Sequence, residues 1–483
     1  MPRLVVAGGL VVNHDSSRLA HVVVDDGVVT DVMDASRPVP TAQHVVDATG
    51  RVVLPGGVDS HCHIAQVTGS YSTLDDFGLS TVAALWGGTT TVMDFGIPRD
   101  ATETPLEAAR AKLALAQEAR CDVGLHGSVI TWDDTIPAQL EALAELGIRS
   151  VKVYMTNRGT TMADGETVLR VLHHMRRLDG LTYVHAEHDA LVVDCTRRHV
   201  EAGRKGIEHL HLTRPELVEE ASVREVLAMS AYTASPVYFV HQSTPVAVDL
   251  VRAARDSGQE AFSETCPHYL LLDEDCYGGP TPEWFACCPP IRSAATARAL
   301  RERFAAGLID TVSSDHSCYN LSQKRQHADD VRFMPHGLPG VETRMPTAFT
   351  TLLRHSAVPG EWPNPQLLQR FVELFSATPA RLNGLTTKGA VAVGRDADLV
   401  VFDPTESRVV DGEGLHMGTD FSPFDGLQLY GWPQVVVCAG RVVRDEHGFH
   451  DPGPVGRLLR RAGFHEGLAG QPGPQSMAQS GAR

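Results

Sequence analysis

Short runs of β-branched residues separated by turn dipeptides occupy both ends of the chain. Residues 1–54 alternate apolar pairs and triplets with turns such as Asp26-Gly27, and the same texture returns at 390–403 and 433–444. This pattern is typical of short strands joined by tight turns. We therefore predict one β-sandwich domain formed by 1–54 together with 389–455. The last residues are rich in Gly, Pro, Gln and Ser, so we predict a mobile C-terminal tail over 456–483.

Between these ends, apolar strand patterns alternate with helical ones, which indicates parallel β/α units. The clearest helix starts with the capping box of Thr104 and Glu107 and has Pro105 at its first position. A second helix is predicted over 137–146. Strand patterns occur at 58–63, 89–95, 122–129, 150–155, 181–187, 236–243, 260–266 and 310–316. Eight such units predict an α/β fold, a TIM (β/α)8 barrel over 55–388, beside the smaller β-sandwich from both chain ends.

Charge and cysteine content narrow the class of partner. The 483 residues carry a formal net charge of -17, which argues against the basic surface that nucleic acid or an anionic membrane requires. No apolar run approaches the roughly 18 residues of a membrane-spanning helix. The nine cysteines are scattered without framework spacing and fit a reducing compartment. We expect a cytoplasmic protein whose partner is a small molecule, with neither nucleic acid nor membrane involved.

The carboxyl ends of the predicted strands are unusually polar, and this is the face on which barrel enzymes do their chemistry. His61 and His63 are two residues apart on one strand, so both imidazoles can reach a single ion. An HxH pair or a single strand histidine is weak evidence by itself, because buried histidines are often only hydrogen-bonded. Five strand ends together supply His61, His63, Lys152, His185, His241 and Asp315. Their combination favours a metal centre over independent structural roles.

Lys152 stands inside an otherwise apolar strand, where an ammonium ion is costly to desolvate. A snorkelling or edge-strand lysine is the alternative interpretation. Burial lowers the pKa of a lysine, and its neutral amine can take up carbon dioxide to become a carbamate. The two oxygens of that anion can bridge two cations, so N6-carboxylation of Lys152 fits the metal interpretation.

Motifs along nearly the whole chain resemble the cyclic amidohydrolases, specifically the dihydropyrimidinase and hydantoinase branch of the amidohydrolase superfamily. The barrel motifs are LPGGVDSHCH at 54–63, GGTT at 87–90, SVKVYM at 150–155, VHAE at 184–187, FVHQS at 239–243, SDH at 314–316 and PGVETR at 339–344. ATPAR at 377–381 and GRDADL at 394–399 are typical of the return to the β-sandwich.

The resemblance implies two divalent metal ions per chain, with zinc as the expected metal. It places His61, His63 and Asp315 on one ion and His185 and His241 on the other. A carboxylated Lys152 would bridge the two ions. Asp315 would also be catalytic, exchanging a proton with a hydroxide that the two ions hold between them. The resemblance also implies a homo-oligomer, a tetramer in many relatives.

The implied reaction is hydrolysis of the cyclic amide C–N bond of a dihydropyrimidine or 5-substituted hydantoin, giving an N-carbamoyl amino acid. An allantoinase, or another cyclic imide or ureide hydrolase of the superfamily, is the alternative enzyme. A dihydroorotase-like enzyme would need an arginine just after the HxH, where this chain has Ile64-Ala65-Gln66. A non-catalytic, dihydropyrimidinase-like assembly protein is the alternative of another class, but here all six ligand positions are filled.

Three positions that the resemblance assigns to the substrate pocket depart from the branch. Five residues after the lysine, the relatives have a tyrosine that binds or polarises the substrate, whereas this chain has Asn157. Tyr154, inside the strand, is not assigned that role. Cys288 and His336 stand where the branch has serine and asparagine, and backbone contacts with the ring would survive both exchanges. The hydrolytic residues are thus predicted to be present while the substrate stays open.

Overall fold

The computed structural model describes residues 3–355, 364–454 and 456–469. Its amino-terminal strands follow the predicted short apolar runs, and the first two join in an antiparallel pair. These strands are β1 (Leu4–Val12), β2 (Ser17–Asp25), β3 (Val28–Asp34), β4 (His44–Asp47) and β5 (Val52–Pro55).

The central region contains an eight-stranded parallel sheet, within the described ranges, and all eight strands coincide with strand patterns predicted from the sequence. A small hairpin, β7 with β8, follows the first of them. The strands of this region are β6 (Gly57–Cys62), β7 (Val67–Thr68), β8 (Tyr71–Ser72), β9 (Thr89–Gly96), β10 (Asp122–Ser128), β11 (Ser150–Tyr154), β12 (Leu181–His185), β13 (Val237–Phe239), β14 (Ala261–Thr265) and β15 (Thr311–Val312).

The barrel closes between its first and last strands. Cys62 and His316 form a parallel bridge, and the backbone amide of Asp315 donates to the carbonyl of His61 at 3.0 Å. This closure brings residues far apart in sequence to the same rim of the barrel. The TIM barrel prediction is therefore confirmed.

The carboxyl-terminal strands return to the amino-terminal sheet. β16 pairs antiparallel with β5, with Leu399 opposite Pro55, so both chain ends contribute to one nine-stranded sheet in the described residues. Valines and leucines from its two arms pack in one buried cluster, as predicted for a β-sandwich. The strands are β16 (Leu399–Val409), β17 (Gln428–Cys438), β18 (Arg441–Asp445) and β19 (Gly448–Phe449).

Helices fill the connections between barrel strands. The helix predicted from Thr104 onward is present with the full capping box, and that predicted over 137–146 covers Ile136–Glu145. No helix in the described part of the chain is both long and apolar enough to cross a membrane. The helices are α1 (Phe77–Trp86), α2 (Pro105–Leu115), α3 (Ile136–Glu145), α4 (Gly165–Arg177), α5 (Asp189–Glu201), α6 (Leu210–Thr213), α7 (Glu216–Thr233), α8 (Pro245–Asp256), α9 (Pro267–Leu271), α10 (Ala294–Ala305), α11 (Leu321–Arg325), α12 (Arg344–His355), α13 (Pro365–Val372), α14 (Thr378–Leu382) and α15 (Phe464–Ala469).

Residues 456–469, which we predicted as the start of a mobile tail, pack against the amino-terminal end of the barrel. Leu459 donates its amide to the carbonyl of Val123 at 2.8 Å. The buried guanidinium of Arg461 donates to the carbonyl of Leu125 at 2.5 Å, and Phe464 is also buried. Apolar side chains in this segment thus provide the burial that holds it in place. Residues 470–483 lie outside the described residues.

Candidate active site

Six candidate side chains converge at the carboxyl end of the barrel. Lys152 extends from the middle of β11, and His185 ends β12. His241 and Asp315 follow β13 and β15, and both have a positive φ, 38° and 50°. Such a backbone conformation is strained for residues other than glycine and is concentrated at functional sites.

The HxH pair and the aspartate form a compact group. The Nε2 atoms of His61 and His63 are 3.2 Å apart. The carboxylate oxygen Oδ1 of Asp315 lies 3.2 Å from the Nε2 of His61 and 3.3 Å from that of His63. Three ligand atoms that face one another within this span can hold one metal ion.

The other three candidates adjoin this group. The amine of Lys152 lies 2.8 Å from the Nε2 of His61, and the Nε2 of His241 lies 2.9 Å from the Nδ1 of His185. The ring centroids of His61 and His241 are 5.5 Å apart. The structure therefore brings together all six residues selected from the sequence, with Lys152 in contact with His61.

Burial sets the ionisation of these groups. It lowers the pKa of His63 to about 3 and also lowers the pKa of His185. It lowers the pKa of Lys152 to about 8, against the opposing charge of Asp315. Burial alone would raise the pKa of Asp315, but His61 and His63 outweigh it and hold that pKa well below its usual range. His63 and His185 are thus neutral, as metal ligands must be, and Asp315 is ionised.

Two buried carboxylates orient the histidines from behind. Glu264 accepts a hydrogen bond from the Nδ1 of His61 at 2.7 Å and from the backbone amide of His241 at 3.0 Å. Glu187 lies 2.8 Å from the Nε2 of His185, and Arg214 donates to the same carboxylate oxygen at 2.5 Å. Carboxylates in such positions fix the tautomer and the direction of a metal-binding imidazole.

Sequence reasoning did not select Glu264, although the signal was present. Glu264 is a carboxylate inside a strand whose residues are all buried, and a buried carboxylate requires a partner. Glu187 lies in one of the quoted motifs but received no role. Both residues act on the candidate ligands rather than joining them.

The three predicted pocket residues differ in their placement. Asn157 is exposed, has a φ of 73°, and donates its side-chain amide to the hydroxyl of Thr161 at 3.3 Å. The Sγ of Cys288 and the Nδ1 of His336 are 2.8 Å apart in a half-buried pair. Burial raises the pKa of the Cys288 thiol to about 12 and lowers that of His336 to about 3, so this pair is uncharged at neutral pH.

Lys324 joins the loops that carry Cys288 and His336. Its buried amine donates to the carbonyl of Ala286 at 2.7 Å and to that of Gly337 at 2.5 Å. The amide of Gly337 donates to the carbonyl of Ala286 at 2.9 Å. These bonds fix the spacing of the two loops beside the candidate ligands.

The donor set fits a divalent metal centre. Four imidazoles, one carboxylate and one buried amine face one another, and one ring nitrogen each of His61 and His185 contacts a carboxylate. Because Glu264 and Glu187 each hold one ring nitrogen of a histidine, the other nitrogen of that ring can present its lone pair to a cation. Imidazole and carboxylate together suit zinc and neighbouring transition metals.

Comparison with known proteins finds relatives along nearly the whole chain. The model of the Amidohydrolase family matches residues 52–443. A D-hydantoinase of Ralstonia pickettii is 32% identical and covers 96% of this chain and 100% of its own length. A D-phenylhydantoinase of Escherichia coli is 33% identical, covering 96% and 99%.

Solved structures agree with these relatives. The crystal structure of a dihydropyrimidinase from Brevibacillus agri superposes with a TM-score of 0.91 at 32% identity and covers 96% of this chain and 99% of its own. Sequence and fold therefore both indicate the hydantoinases and dihydropyrimidinases, the same group that the sequence motifs resemble. The chain belongs to the amidohydrolase family, among the hydantoinases and dihydropyrimidinases.

Proposed function

We propose that the protein hydrolyses the cyclic amide C–N bond of a dihydropyrimidine or a 5-substituted hydantoin and releases an N-carbamoyl amino acid. The observation that carries the proposal is the contact of the buried Lys152 amine with His61, at the end of the barrel where both histidine pairs and Asp315 meet. The names of the relatives support the substrate class, since they include D-hydantoinases and a dihydropyrimidinase.

The residues that would hold metal are His61, His63 and Asp315 for one ion and His185 and His241 for a second, with carboxylated Lys152 between them. The amine is prepared for carboxylation, because a pKa of about 8 leaves roughly one amine in ten uncharged at neutral pH. Divalent ions, with zinc as our expectation, supply Lewis acidity and lower the pKa of water towards 7.

Asp315 is the proton carrier in this proposal. It is ionised in the absence of substrate, and its carboxylate is partly exposed at the rim while still touching both histidines of the HxH pair. It accepts a proton as water adds to the ring carbonyl carbon. It then delivers that proton to the departing ring nitrogen when the C–N bond breaks. One water is consumed, and the amide nitrogen leaves as part of the carbamoyl group.

The test is an activity panel on metal-loaded protein with dihydrouracil, phenyl- and alkylhydantoins, allantoin and cyclic imides. Ring opening of a hydantoin or of dihydrouracil is expected, with N-carbamoyl products identified by mass spectrometry. Asp315→Asn is the matched variant, and it should keep its fold by circular dichroism yet lose turnover. Turnover confined to allantoin, or wild-type turnover by Asp315→Asn, would contradict the proposal.

A further inference from the structure

Tyr154 occupies the position on β11 between Lys152 and the mouth of the barrel. Alternate residues of a strand share a face, and the contact of Lys152 with His61 shows that this face is the inner one. Tyr154 therefore also points inward. It is the last residue of the strand, about 7 Å nearer the mouth from which substrate must enter.

The Tyr154 ring borders the candidate ligands directly. Its centroid lies 5.0 Å from the amine of Lys152 and 5.6 Å from the ring of His185. The residue is 8% exposed. Among the described residues its hydroxyl has no hydrogen-bond partner. A bound polar ligand could therefore supply the hydrogen-bond partner that this hydroxyl lacks.

Asn157 does not offer a comparable group. Its side chain is exposed and bonded to Thr161, and its backbone is left-handed with a φ of 73°. Tyr154, by contrast, has its ring centroid 5.0 Å from the Lys152 amine. Tyr183 and Tyr238 stack on each other deeper in the barrel, with their hydroxyls bonded to Asn383 and Glu264.

We propose that the Tyr154 hydroxyl donates a hydrogen bond to the carbonyl oxygen of the ring amide that is hydrolysed. As water adds to the carbonyl carbon, the C=O electron pair moves onto this oxygen, and the hydroxyl stabilises the charge while keeping its own proton. Tyr154 is thereby a catalytic residue. The inference rests on the proposed function and deepens it, because it assigns a donor for the charge that develops on the substrate.

The test compares Tyr154→Phe with unaltered protein at matched metal content. Phenylalanine keeps the ring against Lys152 and His185 and removes only the hydroxyl. Loss of one donor to a developing oxyanion lowers kcat by about 10²- to 10³-fold. We expect a fall of this size with a smaller change in KM. Calorimetry should also show about tenfold weaker binding of the N-carbamoyl product.

A control variant separates this role from packing. Tyr183→Phe removes a buried barrel hydroxyl elsewhere, which donates to Asn383, so it should keep kcat within a few-fold. Unchanged kcat in Tyr154→Phe, or a loss that follows the loss of bound metal, overturns the inference alone. Failure of the unaltered protein to open any cyclic amide overturns the proposed function as well, so the two failures are distinguishable.

Discussion

Replacing Glu264 with glutamine removes the charge of a carboxylate behind two candidate metal ligands and keeps its size. One oxygen of Glu264 accepts from both His61 and the amide of His241, and the other accepts from the hydroxyl of Tyr238 at 2.7 Å. Burial would raise the pKa of Glu264, but His61 keeps it below its usual value, so the group is ionised. Glutamine can keep these contacts only as neutral hydrogen bonds.

The effect on metal affinity follows from the two of these three bonds that go to candidate ligands, His61 and His241. A hydrogen bond to a charged group contributes about 1 kcal/mol more than a neutral one. Two such bonds correspond to about 2 kcal/mol, or roughly 30-fold in an equilibrium constant. This agrees with the 10- to 100-fold loss of metal affinity typical of groups behind metal ligands. We therefore expect Glu264→Gln to bind metal about 10- to 100-fold more weakly.

The assay is competition with a chelator of known affinity, followed by metal analysis of the recovered protein. Asp122→Asn is the matched control, because Asp122 is also buried in the barrel but contacts Lys388 and Arg457 at the opposite end. The control should lose stability without losing metal affinity. Equal metal affinity in Glu264→Gln and unaltered protein would refute the reasoning, and so would equal losses in both variants.

Three further predictions concern Lys152 and two charged clusters. Lys152→Ala should lose metal and turnover, with partial rescue by short carboxylic acids; full activity without such additives would exclude the carbamate. Lys388→Met leaves three aspartates at the barrel base without their buried cation. Urea unfolding should therefore show a free energy of unfolding lower by about 3–5 kcal/mol. A decrease below about 1 kcal/mol would contradict this expectation. A hydrogen bond from Arg332 lowers the pKa of Asp330 to about 2. The ionised carboxylate therefore stabilises the folded state above the unfolded pKa of about 4, and this stabilisation is lost as the pH falls through 2. The difference in thermal stability between Asp330→Asn and unaltered protein should therefore shrink over that window, and a constant difference would contradict the linkage.

The strands and the candidate ligands were predictable because both depend on local pattern. Alternation of apolar residues located all eight barrel strands, and the known polarity of the carboxyl end of such strands selected His61, Lys152 and Asp315. The contribution of Glu264 was harder to predict, since its bond to His61 spans 203 positions. Only the assembled barrel shows which inward residue of one strand lies beside which residue of another.

The packing of 456–469 shows a different limit of sequence reasoning. We predicted it as part of a mobile tail because the residues that follow it are rich in Gly, Pro, Gln and Ser, but Arg461 and Phe464 are buried against the barrel base. Some of the stabilising contacts come from Val123 and Leu125, each 336 positions earlier than its partner in the segment. Composition reports how much apolar surface a segment carries, whereas its order depends on whether another surface is available to cover it.

The predicted pocket residues lie on loops, whereas Tyr154 lies on a strand. Asn157, Cys288 and His336 lie on loops, where side-chain direction follows from tertiary contacts such as the Lys324 bonds. Tyr154 lies on the strand, and there the period of two already places it on the same face as Lys152. The strand period therefore places Tyr154 beside Lys152, whereas the resemblance assigned the pocket position to Asn157. In our proposal, the role in substrate binding lies on the strand instead of the loop, while the candidate ligands below it keep their arrangement.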